Sequence, residues 1–239
     1  MIRKAYIKHR EDFPINENCA AALLGFIELG IETASFYGFG DIESLDDLDQ
    51  EVCLHGHIGD VWLALDKIGK PRPEQLDYPD ELKEYLGREI TKTNLYNVRY
   101  SIKKQFVKPV FQKLFTGFIW SGIKSDRLRI ATFDDDTECY VSDIVDFVSE
   151  YRCFILDKEI LGVKIYKGDW SIAPNRSVIE SAVLKFKSAP IAYSLDFGIT
   201  NDSRTLLVEV NDGFSLGAYG LPPVLYAEMI SARWEEMTQ

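Results

Sequence analysis

The sequence predicts an α+β chain that opens with a small α/β sheet and continues as antiparallel hairpins. Two observations lead there. Over the first ninety residues short β-like runs alternate with helical ones, and beyond about Phe106 the strand-like runs come in pairs separated by turn residues. We divide the chain accordingly into a small α/β domain, 1–90, and a larger α+β region, 91–239.

The first domain reads in order. A-Y-I-K-H is a strand, and Asn16 caps a helix that runs to Leu29 with apolar residues at helical spacing. E-T-A-S-F-Y-G-F and V-C-L-H-G-H are strands, and G-D-V-W-L-A-L-D-K-I-G is a helix closed by Gly69. After Pro71 and Pro73, the stretch Y-P-D-E-L-K-E-Y-L-G-R reads as a loop and short helix bridging to the second region. There the expected strands are Q-F-V-K-P-V, L-R-I-A-T-F, E-C-Y-V-S-D, Y-R-C-F-I-L, I-L-G-V-K-I-Y, I-A-Y-S-L-D-F-G and T-L-L-V-E-V-N, with a helix at about Ser177 to Lys187.

Composition removes several function classes. No stretch approaches the roughly twenty apolar residues that cross a bilayer, so no membrane role is expected. The start, M-I-R-K-A-Y-I-K-H-R, carries no apolar signal region, which makes cytoplasmic residence the expectation. Cys19, Cys53, Cys139 and Cys153 show no C-x-x-C spacing and read as reduced core thiols. A net charge of −11, with Lys and Arg spread along the chain, disfavours nucleic acid as a partner. His55 and His57 in H-G-H alternate onto one strand face and could hold a transition metal if carboxylates completed the site.

Two hairpins carry the chemistry. A loop of Asn201 to Arg204 pairs Thr200 with Thr205, sets Asp196 opposite Glu209, and puts Asn211 opposite Ser194 on the same side. Like charges directly opposite are destabilising, and a divalent cation would remove the conflict. Carboxylate and amide oxygens suit Mg²⁺. Solvent-facing carboxylates, or a register one residue different, are the alternative at this point. In the preceding hairpin a loop of Asp157 to Glu159 pairs Arg152 with Lys164, a cation pair that an intervening polyphosphate would reconcile; two surface cations reaching water are the other reading. Lys108 stands in the otherwise apolar strand F-V-K-P-V, where Pro109 restricts pairing.

V-K-P, S-E-Y-R-C-F-I, D-F-G and L-V-E-V-N-D-G, in that order, resemble the ATP-grasp superfamily over about Arg88 to Leu221. With E-V-N-D-G-F-S-L-G-A-Y-G-L they resemble a divergent clade of bacterial and phage proteins, distantly similar to a eukaryotic cell-division-cycle factor that assembles a translation initiation complex. The resemblance implies an ATP-grasp fold, with two α+β lobes clasping ATP and a small α/β domain before them.

It further implies phosphate contacts from Lys108 and Lys92, adenine recognition by Val141, Ser142 and Asp143, and a role for Arg152 near the phosphates or the acyl acceptor. Asp196, Glu209 and Asn211 match the Mg²⁺-binding residues. Family members often carry a glycine-rich loop after V-K-P, whereas V-F-Q-K-L-F-T-G has only Gly117, and Lys113 would supply the charge instead. The implied reaction is ATP-dependent ligation of a carboxylate to an amine through an acyl phosphate, with Arg152 and Lys164 acting on the transferring group and a small molecule, peptide or protein as acceptor. Gly213 to Leu221, whose glycines permit close backbone approach, either shape the acceptor pocket or make a tight connection after the last strand. The alternative is a nucleotide-binding assembly factor that catalyses nothing.

Overall fold

The computed structural model describes residues 1–111 and 114–239. Contacts divide the chain into two compact units, one of Met1–Tyr85 with Val148–Gln239 and one of Leu86–Phe147. The division does not follow sequence order, since the first unit is built from both ends of the chain.

The first unit begins with β1 (Lys4–Arg10), the short β2 (Phe13–Pro14), α1 (Glu17–Glu28), β3 (Glu32–Phe36), α2 (Phe39–Ser44), β4 (Val52–His55) and α3 (Ile58–Lys67), followed by a 3₁₀ turn over Asp80–Tyr85. Central β1 pairs in parallel with β3 and β4, the arrangement the alternating pattern predicts. Asn16 does cap α1, accepting the N–H groups of Asn18 at 3.0 Å and Cys19 at 2.9 Å.

The H-G-H expectation does not hold. β4 ends at His55, and His57 lies beyond it as the residue that caps α3, where the Asp60 carboxylate accepts its N–H at 2.7 Å. That carboxylate is fully buried and is claimed by Lys8, at 2.7 and 2.8 Å. His55 is buried edge-on to Tyr226, and burial holds its pKa down at about 4. Among the described residues no three His, Cys, Asp or Glu side chains are grouped to hold a metal.

The second unit contains β5 (Ile90–Asn94), α4 (Leu95–Tyr100), β6 (Gln105–Pro109), β7 (Phe118–Trp120), α5 (Lys124–Arg129) and β8 (Glu138–Ser142). Its antiparallel sheet runs β5-β8-β6-β7, and Leu95, Val98, Val107, Trp120, Ile130 and Cys139 form its core. L-R-I-A-T-F, expected as a strand, is instead the end of α5 and a turn. The Arg99 guanidinium accounts for this: Nη2 donates to the carbonyls of Ile130 at 2.7 Å and Phe133 at 2.6 Å, so those backbone groups need no neighbouring strand.

The chain then returns to the first unit as β9 (Phe147–Leu156), β10 (Glu159–Gly168), α6 (Arg176–Lys185), β11 (Ala192–Thr200), β12 (Thr205–Asp212) and α7 (Pro223–Thr238), with sheet order β10-β9-β11-β12. Both hairpin turns are one residue tighter than expected. Asp157 and Lys158 make a two-residue turn with φ of 47° and 66°, the left-handed pair whose twist matches the strands. In the second hairpin Thr200 N–H donates to the Arg204 carbonyl at 3.0 Å, leaving a loop of Asn201, Asp202 and Ser203.

The first hairpin slips by one residue at Leu161 and again at Tyr166, the second at Val208, and the slips at Leu161 and Val208 return the register to the expected one: Arg152 faces Lys164 and Asp196 faces Glu209. Among the described residues no helix is long and apolar enough to cross a membrane. All four cysteines are free and buried.

Candidate active site

Strand alternation sorts the β10-β9-β11-β12 sheet into two faces. Leu195, Phe197, Cys153 and Ile155 lie on one, all fully buried. Arg152 on β9, Lys164 on β10, Asp196 on β11 and Glu209 with Asn211 on β12 lie on the other, so all five residues singled out here by the sequence share one surface.

The charges on that surface are already engaged. Arg152 Nε donates to Asp196 Oδ1 at 2.8 Å and Nη2 to Oδ2 at 2.7 Å, a bidentate pair with both residues buried. Asn211 Nδ2 donates at 3.3 Å to Asp196 Oδ2 and at 3.3 Å to Glu209 Oε1, so its amide joins the two carboxylates. Asp196 and Glu209 thus share the Asn211 amide as a donor, while Glu209 still repels the Asp196 charge. Of the facing cations Arg152 and Lys164, Arg152 is neutralised by the Asp196 carboxylate. Lys164 is half-buried and forms no ion pair among the described residues.

Burial pushes the Asp196 carboxyl up to about 6, with Glu209 and Glu150 adding to the rise and Arg152 opposing it. For Arg152 burial works against the charge, but the Asp196 carboxylate outweighs it and the pKa stands above its ordinary value.

Further residues join this surface without having been singled out. The Tyr219 ring lies under the Arg152 guanidinium, 4.9 Å from centroid to Cζ, and stacks on Tyr166 at 5.2 Å and 25°. Tyr166 Oη donates to Glu150 Oε2 at 2.9 Å. Signals for them existed: Glu150 is two residues from Arg152 and so on its face, and Tyr219 stands between Gly217 and Gly220. Ser194, paired with Asn211, is fully buried with its hydroxyl lacking any partner among the described residues.

The loop after β12 is held firmly. Ala218 N–H donates to Asn18 Oδ1 at 2.8 Å, and Leu216, Ala218 and Leu221 are buried in the unit's core. A Cβ on Gly217 would stand 3.1 Å from the Tyr219 ring and 3.4 Å from Arg152 Nη1, so the backbone there runs close beside both side chains. Asp212, next after Asn211, takes no part: it accepts from Arg233 Nε at 2.6 Å and Nη2 at 2.7 Å.

These residues fit a magnesium ion. Two carboxylates and an amide joined by one hydrogen-bond network form a hard oxygen donor set, and the orphaned Ser194 hydroxyl beside them has a polar role unfilled by the protein. The amide now presents its NH₂ because carboxylates only accept; turned over, it would present Oδ1.

The remaining candidates belong to the second unit. Lys92 and Lys108 both pair with Tyr140, from β5 and β6, so the three side chains stand in line on one face of that sheet. Lys92 Nζ contacts Glu138 at 2.9 Å. Val141, Ser142 and Asp143 line a cavity of about 130 Å³ together with Glu89, Thr91, Lys103 and Gln105. The Val141 side chain is on the face opposite Lys92 and Lys108, Ser142 Oγ donates to the Asp143 carbonyl at 3.0 Å, and Asp143 pairs with Lys103 at 2.8 Å. Lys113 lies outside the described residues.

A family model for an ATP-grasp domain, the second family of its clade, matches residues 85–229. No curated protein matches the chain. Among solved structures, the D-cycloserine synthetase DcsG is similar at TM-score 0.62 and 12% identity, over 97% of this chain and 99% of that one. D-alanine–D-alanine ligase from Bacillus anthracis complexed with ATP is similar at 0.53 and 13%, over 98% and 95%. The ATP-grasp ligase PsnB, complexed with a minimal precursor, Mg and ADP, is similar at 0.52 and 10%, over 97% of each chain. These likenesses are of fold.

Proposed function

The chain belongs to the ATP-grasp superfamily, within the clade family whose model it matches, and on that premise we propose that it is a ligase that activates a carboxylate as an acyl phosphate and joins it to an amine. ATP and Mg²⁺ are the cofactors of the family. The observation that supports a working site is the joining of Asp196, Glu209 and Asn211 into one network beside Arg152.

In this reading Asp196, Glu209 and Asn211 Oδ1 hold the metal, which when bound neutralises charge on the polyphosphate. Lys108 and Lys92 contact the nucleotide phosphates, and the backbone of Val141 to Asp143 receives the adenine. The carboxylate oxygen of the substrate attacks the γ-phosphorus and ADP leaves. The amine nitrogen then attacks the acyl carbon, and inorganic phosphate leaves with the proton passing to solvent. Arg152 and Lys164 balance negative charge in both steps, and no residue of the chain forms a covalent bond to substrate.

For the acceptor we propose an amine on a small molecule or a peptide, held against the loop Gly213 to Leu221. Support comes from the rigidity of that loop and from relatives that include a D-cycloserine synthetase and a ligase solved with its precursor. The test is thermal shift with ATP and Mg²⁺ for the parent and for Asp196→Asn with Glu209→Gln. Metal-dependent stabilisation confined to the parent supports the site, and ADP release raised by added amines or peptides then supports ligation. Absence of nucleotide binding by the folded parent would overturn the reading.

A further inference from the structure

Asp196 can receive a metal while Arg152 stays where it is. The two oxygens of a carboxylate offer about four lone-pair sites. Arg152 uses one on Oδ1 through Nε and one on Oδ2 through Nη2, and Asn211 Nδ2 uses a second on Oδ2. Oδ1 accepts no other donor among the described residues, and Oδ2 gets a site back when the Asn211 amide turns over. Two bonds from one planar group, at 2.8 and 2.7 Å, also fix the plane of the carboxylate, which a single bond would leave free to rotate. A small ion feels that difference: Mg²⁺ binds oxygen at roughly 2.0–2.1 Å and tolerates little departure from octahedral geometry, so its ligand must be held in place.

The guanidinium is itself aimed. Its Cζ lies 4.9 Å from the centroid of the Tyr219 ring, Tyr219 stacks on Tyr166, and the Tyr166 phenol donates to Glu150, two residues before Arg152 on β9. We propose that Arg152 is a positioning residue for the metal, keeping both bonds to Asp196 when the ion is bound, and that the Tyr219 ring holds the guanidinium in the orientation that makes both. Hydrogen-bond partners of metal-ligating side chains orient those ligands, and their loss costs about ten- to a hundredfold in metal affinity. Tyr219 belongs to the loop Gly213 to Leu221, so this chain of contacts ties that loop to a metal ligand it does not itself touch. The inference rests on the metal reading of Asp196, and the experiment separates the two.

Mn²⁺ serves as the probe, without nucleotide and at one pH, by calorimetry and by paramagnetic resonance of the free ion. Arg152→Met should bind Mn²⁺ about tenfold or more weakly than the parent. Arg152→Lys keeps the charge but cannot form the bidentate pair, and should stay close to the methionine variant. Tyr219→Leu should weaken binding by about threefold, and Tyr219→Phe, which keeps the ring, should restore the parent's affinity. The two Tyr219 variants carry the test if those at Arg152 do not fold. Parent-like or tighter binding in Arg152→Met, or full affinity in Arg152→Lys, with loss in Asp196→Asn, would overturn the positioning role and leave the metal reading standing. Equal affinity in Tyr219→Leu and the parent would overturn the part given to Tyr219. No Mn²⁺ binding by the folded parent, or binding unaffected by Asp196→Asn, would overturn both inference and metal reading.

Discussion

Asp196 faces Glu209 across β11 and β12 because Val208 is an extra residue in the ladder: the register is Phe197 to Leu207 on the turn side and Asp196 to Glu209 beyond it. With a regular ladder from the same turn, Asp196 would face Val208, and Glu209 would point to the opposite side of the sheet. Deleting Val208 removes the bulge and keeps Asp196, Glu209 and Asn211 on one face. Deleting Val210 instead makes Glu209 and Asn211 neighbours in sequence and sends them to opposite faces. Stabilisation by ATP with Mg²⁺ in a thermal shift should survive the first deletion and vanish in the second. Equal loss in both would mean that the bulge geometry itself shapes the site.

Asp212 is a structural carboxylate although it adjoins Asn211. Its two oxygens are taken by Arg233, which also donates to Glu236 at 2.7 Å, and Glu236 in turn accepts the Ile191 N–H. Removing one partner strands the other charge in the interior. Arg233→Leu should lower stability by about 3–5 kcal/mol in urea unfolding, and the folded fraction should bind nucleotide as the parent does.

Lys108 and Lys92 share one face of the second unit's sheet, Lys108 within the V-K-P string and Lys92 in contact with Glu138. Lys108→Met should weaken ATP binding by about tenfold or more and Lys92→Met by less, with smaller losses at high salt. Titration calorimetry at two ionic strengths reads both. A larger loss at Lys92 would reverse the assignment.

His55 and Asp196 make opposed contributions to the pH dependence of the fold. Burial lowers its pKa from 6.5 to about 4, so the folded chain keeps it neutral while the unfolded chain protonates it. The depressed value means that its stabilising contribution is complete above pH 6.5 and is lost as pH falls from there towards 4. The loss is on the order of 3 kcal/mol. Asp196, whose carboxyl is raised from 3.8 to about 6, contributes in the opposite sense over the same range, so His55→Gln should leave stability falling as pH rises from about 4 to 6, and an unchanged slope would place the titrating group elsewhere.

Much of the site was legible because strand alternation is a local property: with the register known, Arg152, Lys164, Asp196, Glu209 and Asn211 fall on one face. The turn lengths were not legible. Two tighter turns were cancelled by two bulges, at Leu161 and Val208, and both are ordinary apolar strand residues. Leu128 to Phe133 has the alternation of a strand, but turn hydrogen bonds from Ala131 and Phe133 N–H and the guanidinium of Arg99, arriving from α4, take its carbonyls in place of a sheet. The H-G-H pair failed for a similar reason: Asp60 draws the His57 N–H into a helix cap and ends the strand at His55.

By itself the sequence determined which chemical groups the protein can bring to a site, the kinds and order of most of its elements, and, through strings such as E-V-N-D-G, its family. Those follow from side-chain chemistry and from periodicities that a short stretch of chain carries on its own. The tertiary structure alone decided that Asp196 is held by Arg152, that Tyr219 and Tyr166 brace that arginine, and that Asp212 answers to Arg233. In a buried site each charge must find its counter-charge among whatever the fold brings near, and residues as far apart in sequence as Arg152 and Asp196 become partners only when their strands lie side by side.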